Sequence, residues 1–388
     1  MDSIIGLTGS FGSGCSFLVE KFFLPQGYKL YSLSKKLKDL YSKETDISTN
    51  RTILQDFGNQ LRKDNGPNYL AKLVIDDIKK DLKQNKNSFS KVIIDSIRNP
   101  NEIAFFRQEY QNFFLFGIYA NQEIRWGRVK NFPQYNQDRK IFDSDDDRDK
   151  GEDFDYGQKV TDCFLHADII INNESQIYQD NLNYEFMRDK LNQLIDLTTG
   201  KYKRVPTEQE ALMAIAFANS QRSNCLKRKV GAIIIDSKGH ILGSGYNEVP
   251  SFMKPCKEEF GNCYRGMLRK KWADKVKNTV SDSPIQDNLI EYFNDEFKIL
   301  DYCRSLHAEE SAILSIAMNG SSALKGAALY TSTYPCNLCA NKIREVGIEK
   351  IFYLEPYPMP EAKKILEGIT QIPFEGVTYN GFFRLFRG

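Results

Sequence analysis

Apolar segments alternate with amphipathic segments along the first half of the chain. Four apolar runs are predicted to be buried strands: Ser3–Leu7, Lys91–Ile94, Phe113–Tyr119 and Ala167–Ile171. Helical periodicity predicts helices over four further segments: Phe17–Phe23, Ala71–Leu82, Pro100–Tyr110 and Asn181–Leu197. Strands that alternate with helices are typical of a parallel sheet covered on both faces. The first half is therefore predicted to be an α/β layered domain.

The pattern changes near residue 200. Leu197–Pro206 lacks periodicity and contains glycine and proline, as linkers often do. Beyond it, helices are predicted over Thr207–Gln221, from about His307, and over Cys336–Val346. Strands are predicted over Val230–Asp236, Ile241–Tyr246, Ala327–Thr331 and Lys350–Leu354. Residues 1–200 and 201–388 are therefore predicted to be two α/β domains.

Two segments lack a clear pattern. The acidic stretch Asp143–Asp155 is predicted to be a solvated loop, and the residues between Tyr246 and Asp301 are predicted to be an irregular insertion.

Charge and cysteine content narrow the class of protein. The 53 basic and 51 acidic side chains leave a net charge of +2, which favours neither duplex nucleic acid nor an anionic membrane. No apolar run approaches the roughly 20 residues that a membrane helix needs. Met1–Gly6 lacks the basic start of a secretory signal. We therefore expect a cytoplasmic protein whose 8 cysteines stay reduced and are available as metal ligands.

The clearest chemical motif is His307-Ala-Glu309 together with Pro335-Cys336-Asn-Leu-Cys339. Two thiolates at i and i+3, near a helix N-terminus, combine with one imidazole as three zinc ligands. A site with three protein ligands leaves a position for water, as catalytic zinc sites do. Glu309 is placed to move a proton between that water and a substrate. The alternative is a structural zinc knuckle with a fourth ligand and no chemistry.

From about Thr207 to Phe386 the chain resembles the deoxycytidylate deaminase family. Besides the zinc motif, the resemblance rests on Val230-Gly-Ala-Ile-Ile, Gly245-Tyr-Asn247, Leu329-Tyr-Thr331 and Gly347-Ile. It implies attack of an activated water at cytosine C4, with Glu309 protonating the ring nitrogen and the departing ammonia. It further implies a set of substrate-binding residues: Asn247, Thr333, Tyr334 and Tyr357.

Four more cysteines of this half, Cys225, Cys256, Cys263 and Cys303, are predicted to hold a second, structural zinc. Some deoxycytidylate deaminases carry such an ion on matching segments, and an insertion of this length needs an anchor. The alternative is four reduced cysteines that act as small buried hydrophobes.

A glycine-rich segment follows the first predicted strand. Gly9-Ser-Phe-Gly12-Ser13-Gly14-Cys15-Ser16 fits the phosphate-binding G-x-x-x-x-G-K-[ST] loop, except that Cys15 replaces the lysine. Its backbone N–H groups can bind phosphate and Ser16 can face magnesium, but the cation that reaches the transferred phosphate is missing. A plain tight turn is the alternative. The predicted phosphate-binding residues are Gly9, Gly12, Ser13, Gly14, Cys15, Ser16, Asp95, Arg98, Arg125 and Arg128.

This half resembles deoxynucleoside monophosphate kinases and dephospho-CoA kinases, so it is predicted to bind a nucleotide with Mg²⁺ as a regulator rather than as an efficient kinase. In domain order, the whole chain resembles bacterial anti-phage deoxycytidylate deaminases. That resemblance implies depletion of deoxycytidine nucleotides during infection, a homo-oligomer such as a hexamer, and restraint by an inhibitory cellular factor.

The sequence therefore predicts zinc-dependent deamination of dCMP, dCTP or both. One rival is a polynucleotide cytidine deaminase, which would need a basic track with aromatic platforms for neighbouring bases. The other is a nucleotide sensor with a silent deaminase domain, for which Glu309 would have no use.

Overall fold

The computed structural model describes residues 2–44, 51–84, 89–152, 155–174, 181–296, 299–320, 324–355 and 360–386. The chain divides into two compact units. One comprises the residues up to Ala211 together with those from Pro373 onward, and the other spans Leu212–Ile372. Every helix in the described ranges is too short or too polar to cross a lipid bilayer.

The strands, in chain order, are β1 (Ser3–Thr8), β2 (Lys29–Ser32), β3 (Lys91–Asp95), β4 (Phe113–Tyr119), β5 (Ile169–Asn172), β6 (Gly231–Ile235), β7 (Ile241–Tyr246), β8 (Ala328–Thr331), β9 (Lys350–Tyr353), β10 (Thr370–Pro373) and β11 (Gly376–Val377).

The helices, in chain order, are α1 (Cys15–Leu18), α2 (Leu33–Glu44), α3 (Arg51–Asn65), α4 (Tyr69–Gln84), α5 (Pro100–Glu109), α6 (Gln122–Val129), α7 (Arg139–Lys150), α8 (Val160–Leu165), α9 (Asn181–Thr198), α10 (Glu208–Ser220), α11 (Cys256–Phe260), α12 (Tyr264–Thr279), α13 (Ser283–Glu296), α14 (Ala308–Met318), α15 (Asn337–Glu345), α16 (Pro360–Ile365) and α17 (Tyr379–Leu385). A π-helical turn, Val19–Phe23, extends α1.

The first unit contains a six-stranded sheet in the order β11-β5-β4-β1-β3-β2. Strands β1 to β5 are parallel, and β11 is antiparallel to β5. The central strands are buried, and Ile5, Phe116 and Ile169 form one apolar cluster with Phe22 and with Leu191 of α9. Continuous apolar runs form these strands because the strands of a parallel sheet are buried on both faces. The predicted α/β parallel-sheet class is confirmed.

The second unit contains a five-stranded sheet in the order β10-β9-β8-β6-β7. Strand β6 is antiparallel to β7 and β8, and β8 is parallel to β9. Helix α14 packs directly against β7 because Gly245 has no side chain: a Cβ there would lie 2.3 Å from the carbonyl oxygen of Ala308. This close approach fixes the beginning of α14, where the zinc motif starts.

Three predictions about local structure differ from the fold. The acidic stretch expected to be a loop begins within helix α7, whose Asp146 and Asp149 are buried. The insertion expected to be irregular contains α11, α12 and α13. Finally, the segment from Pro373, placed in the second domain by the boundaries 1–200 and 201–388, adds β11 to the first sheet because Gly376 and Val377 pair with β5.

Candidate active site

Two helix N-termini bring the three predicted catalytic zinc ligands together. His307 precedes the first residue of α14, Cys336 precedes the first residue of α15, and Cys339 lies in the first turn of α15. Nδ1 of His307 lies 3.2 Å from Sγ of Cys336 and 3.4 Å from Sγ of Cys339. In the described ranges, this is the group whose three donor atoms all lie within 4.8 Å of one another.

The donor separations suit one tetrahedral zinc ion. Zinc–sulfur bonds of about 2.3 Å and zinc–nitrogen bonds of about 2.0 Å place tetrahedral donors about 3.6 Å apart. Two soft thiolates and one imidazole are also a typical zinc donor set. His307, Cys336 and Cys339 therefore fit the metal that the motif predicts.

The three side chains shift one another's pKa through hydrogen bonds. The pKa of Cys336 falls to about 4 because Cys339 and His307 hydrogen-bond its thiolate. Hydrogen bonds that the protonated imidazole donates to the sulfur atoms of Cys303 and Cys336 raise the pKa of His307 to about 10. The pKa of Cys339 rises because this thiol faces the thiolate of Cys336. One thiolate is thus already favoured at this cluster, and thiolates are the form that binds metal.

Glu309 is a buried carboxyl group beside the cluster. It is 3 % exposed, and burial raises its pKa. Its Oε2 lies 3.6 Å from Sγ of Cys339, and its Oε1 lies 3.5 Å from the Thr331 hydroxyl at the end of β8. A carboxyl group in this position can accept a proton and return it, as a general base and general acid do. The contact with Thr331 was not predicted. The sequence feature that could have indicated it is a polar residue at the end of an apolar strand, a few residues before Cys336.

The predicted substrate-binding residues have partners of their own. The Asn247 amide donates to the carbonyl of Arg228 at 2.8 Å and accepts from the N–H of Val230 at 2.7 Å. The Tyr334 hydroxyl donates to Gln371. The carbonyl of Thr333 accepts from the Thr331 hydroxyl at 3.0 Å. Asn247 therefore supports the local backbone and Tyr334 pairs with the Gln371 side chain, and their contact with substrate stays a prediction. Tyr357 lies outside the described residues.

The four cysteines predicted to hold a structural zinc line one small cavity, which they share with residues such as Glu248 and Arg265. Within the described ranges, their four sulfur atoms do not all lie within 4.8 Å of one another. Cys303 also hydrogen-bonds the side chain of His307. The quartet thus does not fit one zinc ion as placed, although its members are neighbours.

The glycine-rich segment of the first unit forms a loop between β1 and α1. Gly12 and Gly14 have left-handed φ angles of 81° and 99°, which only glycine adopts without strain. The loop borders a cavity of about 520 Å³ that is also lined by Asp95, Arg98 and Arg128. A loop of backbone N–H groups at a strand end suits phosphate.

Cys15 cannot replace the positive charge of the missing lysine. Burial and the nearby Asp95 raise the pKa of its thiol to about 12, so it stays neutral. Its Sγ lies 3.5 Å from the Ser13 hydroxyl. Burial likewise raises the pKa of Asp95, although Arg98 opposes the effect.

The predicted phosphate-binding arginines hold the loop and its surroundings instead. Arg125 is 2 % exposed, does not line the cavity, and forms a bidentate ion pair with Asp146. Arg128 donates to the carbonyls of Gly12 and Ser13, each at 3.1 Å. Arg98 donates to Asp149 at 2.9 Å. The pairing of Asp146 and Asp149 with these arginines was not predicted, because a run of acidic residues in a sequence is usually exposed to solvent.

A buried carboxyl group beside three donors that fit a metal ion is the arrangement found in metal-dependent hydrolases. Residues 206–355 match the model of the cytidine and deoxycytidylate deaminase zinc-binding region. The deoxycytidylate deaminase of Enterobacteria phage T2 is 33% identical over 157 residues, covering 38% of this chain and 79% of that protein. The chain belongs to the cytidine and deoxycytidylate deaminase family, and the prediction of a hydrolytic deaminase is confirmed.

Other similarities differ in extent. The deoxycytidylate deaminase of Schizosaccharomyces pombe is 29% identical over 195 residues, which cover 50% of this chain and 48% of that protein. The dCMP deaminase structure from cyanophage S-TIM5 is 24% identical, with a TM-score of 0.30, over 44% of this chain and 100% of that one. A shikimate kinase structure from Bacteroides thetaiotaomicron is 13% identical, with a TM-score of 0.31, over 50% of this chain and 98% of that one.

Proposed function

We propose that the protein hydrolyses free deoxycytidine nucleotides (dCMP, dCTP or both) to the corresponding deoxyuridine nucleotides and ammonia. The observation that carries this proposal is the cluster of His307, Cys336 and Cys339 with the buried carboxyl group of Glu309 beside it. The family of the second unit supports a deoxycytidine nucleotide as substrate.

The roles of the protein groups follow from their positions. A zinc ion bound by the three donors would supply an activated water at neutral pH. Glu309 accepts one proton from water and delivers it to the cytosine ring nitrogen, then accepts the second proton of the same water oxygen and delivers it to the departing amino group. The overall reaction consumes one water and releases one ammonia. The Thr331 hydroxyl, which donates to the carbonyl of Thr333, lies 3.5 Å from Oε1 of Glu309 and borders this carboxyl group.

The first unit has a regulatory role in this proposal. Its glycine loop borders a cavity of about 520 Å³, and Ser16 and Asp95 in the lining offer oxygens to Mg²⁺ with a bound nucleotide. Cys15 supplies no cation for phosphoryl transfer. ATP-dependent phosphorylation of deoxynucleotides at kinase-like rates would contradict this role.

The proposal extends to the cell. The kinase-like half and the deaminase half occur in the order that anti-phage deaminases share, which supports a cytoplasmic homo-oligomer, a hexamer, that depletes deoxycytidine nucleotides during infection. An inhibitory cellular factor would restrain it until then. A plaque assay with and without the gene tests this role, and an unchanged plaque count would contradict it.

A structural zinc on Cys225, Cys256, Cys263 and Cys303 stays a prediction. It is supported by the small cavity that the four thiols share, but it would require them to move closer together. Two zinc ions per purified chain would support it, and one would end it.

The substrate is tested by incubating the purified chain with dCMP, dCTP, CMP and a deoxycytidine-containing oligonucleotide. We expect deaminated products from the free deoxynucleotides. Turnover of the oligonucleotide alone would contradict the proposal and favour a polynucleotide deaminase.

A further inference from the structure

The three donors of the zinc cluster lie on two separate helices. His307 immediately precedes α14, whereas Cys336 and Cys339 lie at the beginning of α15. Strand β8 lies between the two helices along the chain. The distances from the imidazole to the two sulfur atoms therefore depend on how α14 is held against α15. A metal site binds its ion tightly when surrounding groups keep the donors at the required spacing.

Glu310, in the first turn of α14, contacts both helices. Its Oε2 accepts a hydrogen bond from the backbone N–H of His307 at 3.4 Å, and its Oε1 pairs with Nζ of Lys342 on α15 at 3.1 Å. A carboxylate is favourable in the first turn of a helix, because the helix dipole is positive there. One side chain thus holds the residue that supplies the imidazole and the helix that supplies the two thiols.

Lys342 lies one helical turn beyond Cys339 on α15. Residues three positions apart in a helix share a face. Both side chains meet the first turn of α14: Sγ of Cys339 lies 3.6 Å from Oε2 of Glu309, and Lys342 pairs with Glu310. The contact between the two helices therefore continues from the donor cluster into the ion pair.

The ion pair is partly shielded from solvent. The Glu310 and Lys342 side chains are 24% and 42% exposed, and such a pair contributes little to the stability of a chain as a whole. Metal affinity is more sensitive, because groups that orient the ligands of a metal site change it by about 10–100-fold. The pair contacts the ligand residues without being a donor, so we expect a smaller effect, about five-fold.

We propose that Glu310 and Lys342 are positioning residues of the zinc site. Their ion pair sets the separation of α14 and α15 and thereby the spacing of the three donors. Neither side chain is a donor of the cluster, so both act on the affinity for zinc through the helices that carry the ligands. This role rests on the zinc-binding function proposed above.

The test measures the zinc dissociation constant of the full, zinc-loaded chain by competition with a chromophoric chelator. The variants are Lys342→Met, Glu310→Gln, the two combined, and the conservative Lys342→Arg. The matched control is Lys79→Met, which breaks a similar pair with Glu109 in the first unit: the Nζ–Oε2 distance is 2.8 Å and the side chains are 52% and 28% exposed. Cys336→Ser identifies which zinc belongs to the cluster.

We expect Lys342→Met and Glu310→Gln each to weaken zinc binding about five-fold, and the double variant to lose no more than the weaker single variant, because both remove the same interaction. Lys342→Arg and Lys79→Met should stay within two-fold of the parent. An unchanged zinc affinity in Lys342→Met, an equal loss in Lys79→Met, or losses that multiply in the double variant would overturn the proposal. A parent chain that binds no zinc at the cluster would overturn the proposed function itself, and this role with it.

Discussion

Glu210 is a buried carboxylate that links the C-terminal segment to the first unit. Both of its oxygens accept from the Arg204 guanidinium at 2.6 Å, and the N–H groups of Thr207 and Val377 each donate to it at 2.8 Å. Burial alone would raise the pKa of Glu210, but these hydrogen bonds outweigh it and hold the pKa below the ordinary value of 4.5.

The depressed pKa of Glu210 predicts a specific dependence of stability on pH. The stability from ionised Glu210 is present above the unfolded-state pKa and is lost as the pH falls through the lower folded-state pKa. We expect Glu210→Gln to destabilise the chain by about 1–3 kcal/mol at pH 7 and by progressively less below pH 4.5. Thermal unfolding of both chains from pH 3 to 7 measures this difference. A gap that stayed constant or widened in acid would contradict the assignment.

Cys336 provides a residue-scale test of the metal cluster. Cys336→Ser is expected to lower the zinc content by one ion per chain, because serine is a poor replacement for a thiolate ligand. Cys163→Ala, a buried cysteine of the first unit, is the control and should leave the zinc content unchanged. Metal analysis of the purified chains measures the zinc content. A full zinc complement in Cys336→Ser would show that the ligands are wrongly assigned.

At the scale of elements, helix α7 is held to the first unit by its acids. Asp149 is fully buried and accepts from Arg51, Gln55 and Arg98, while Asp146 pairs with Arg125. Removing one partner from such a pair leaves an uncompensated charge, which is far more costly than losing an exposed ion pair. The acids of α7 therefore organise the cavity-lining arginines.

Asp149→Asn is expected to destabilise the first unit by about 3 kcal/mol. The matched control is Asp147→Asn on the same helix: the Asp147 side chain is 71% exposed, and its pair with Lys150 is expected to contribute less than about 1 kcal/mol. Urea unfolding at pH 7 gives both values. Similar losses for the two variants would refute the buried network.

The sequence predicted the buried strands well and the polar helices poorly. Strand β4 has its predicted bounds, and β3 differs by one residue, because strands buried on both faces are continuous apolar runs. Helix α7 was missed because its acids are paired with arginines distant in sequence. Helices α12 and α13 were missed because, among their described residues, Val276 alone is buried, so no apolar stripe marks them.

The same contrast applies to the site. His307, Glu309, Cys336 and Cys339 were predictable because zinc chemistry restricts both residue type and spacing. The roles of Arg125 and Asn247 were not, because a guanidinium or amide serves a backbone carbonyl as well as a ligand, and only the fold decides between them.

At the scale of the whole molecule, the chain returns to its first unit after completing the second. Thr378 donates to the carbonyl of Ala167 at 2.6 Å, Arg384 pairs with the buried Asp168 at 2.9 Å, and Val377 is fully buried. A division near residue 200 therefore separates this segment from the sheet to which it belongs.

Deleting residues 373–388 is expected to loosen the first unit. Hydrogen exchange should become at least ten-fold faster in β5, because β11 pairs with it. A chain shortened by only its last two residues is the control. Unchanged protection of β5 in the longer deletion would contradict the assignment of this segment to the first unit.

The central claim is that Glu309, beside the zinc cluster, transfers protons during deamination of a deoxycytidine nucleotide. The most direct test is the rate of dUMP formation from dCMP by the zinc-loaded chain and by Glu309→Gln, with Glu345→Gln on the exposed side of α15 as control. We predict equimolar dUMP and ammonia from the parent and the control, and a rate about 10²–10⁴-fold lower for Glu309→Gln with its zinc content unchanged. A Glu309→Gln chain that retained zinc and the parent rate would contradict the account.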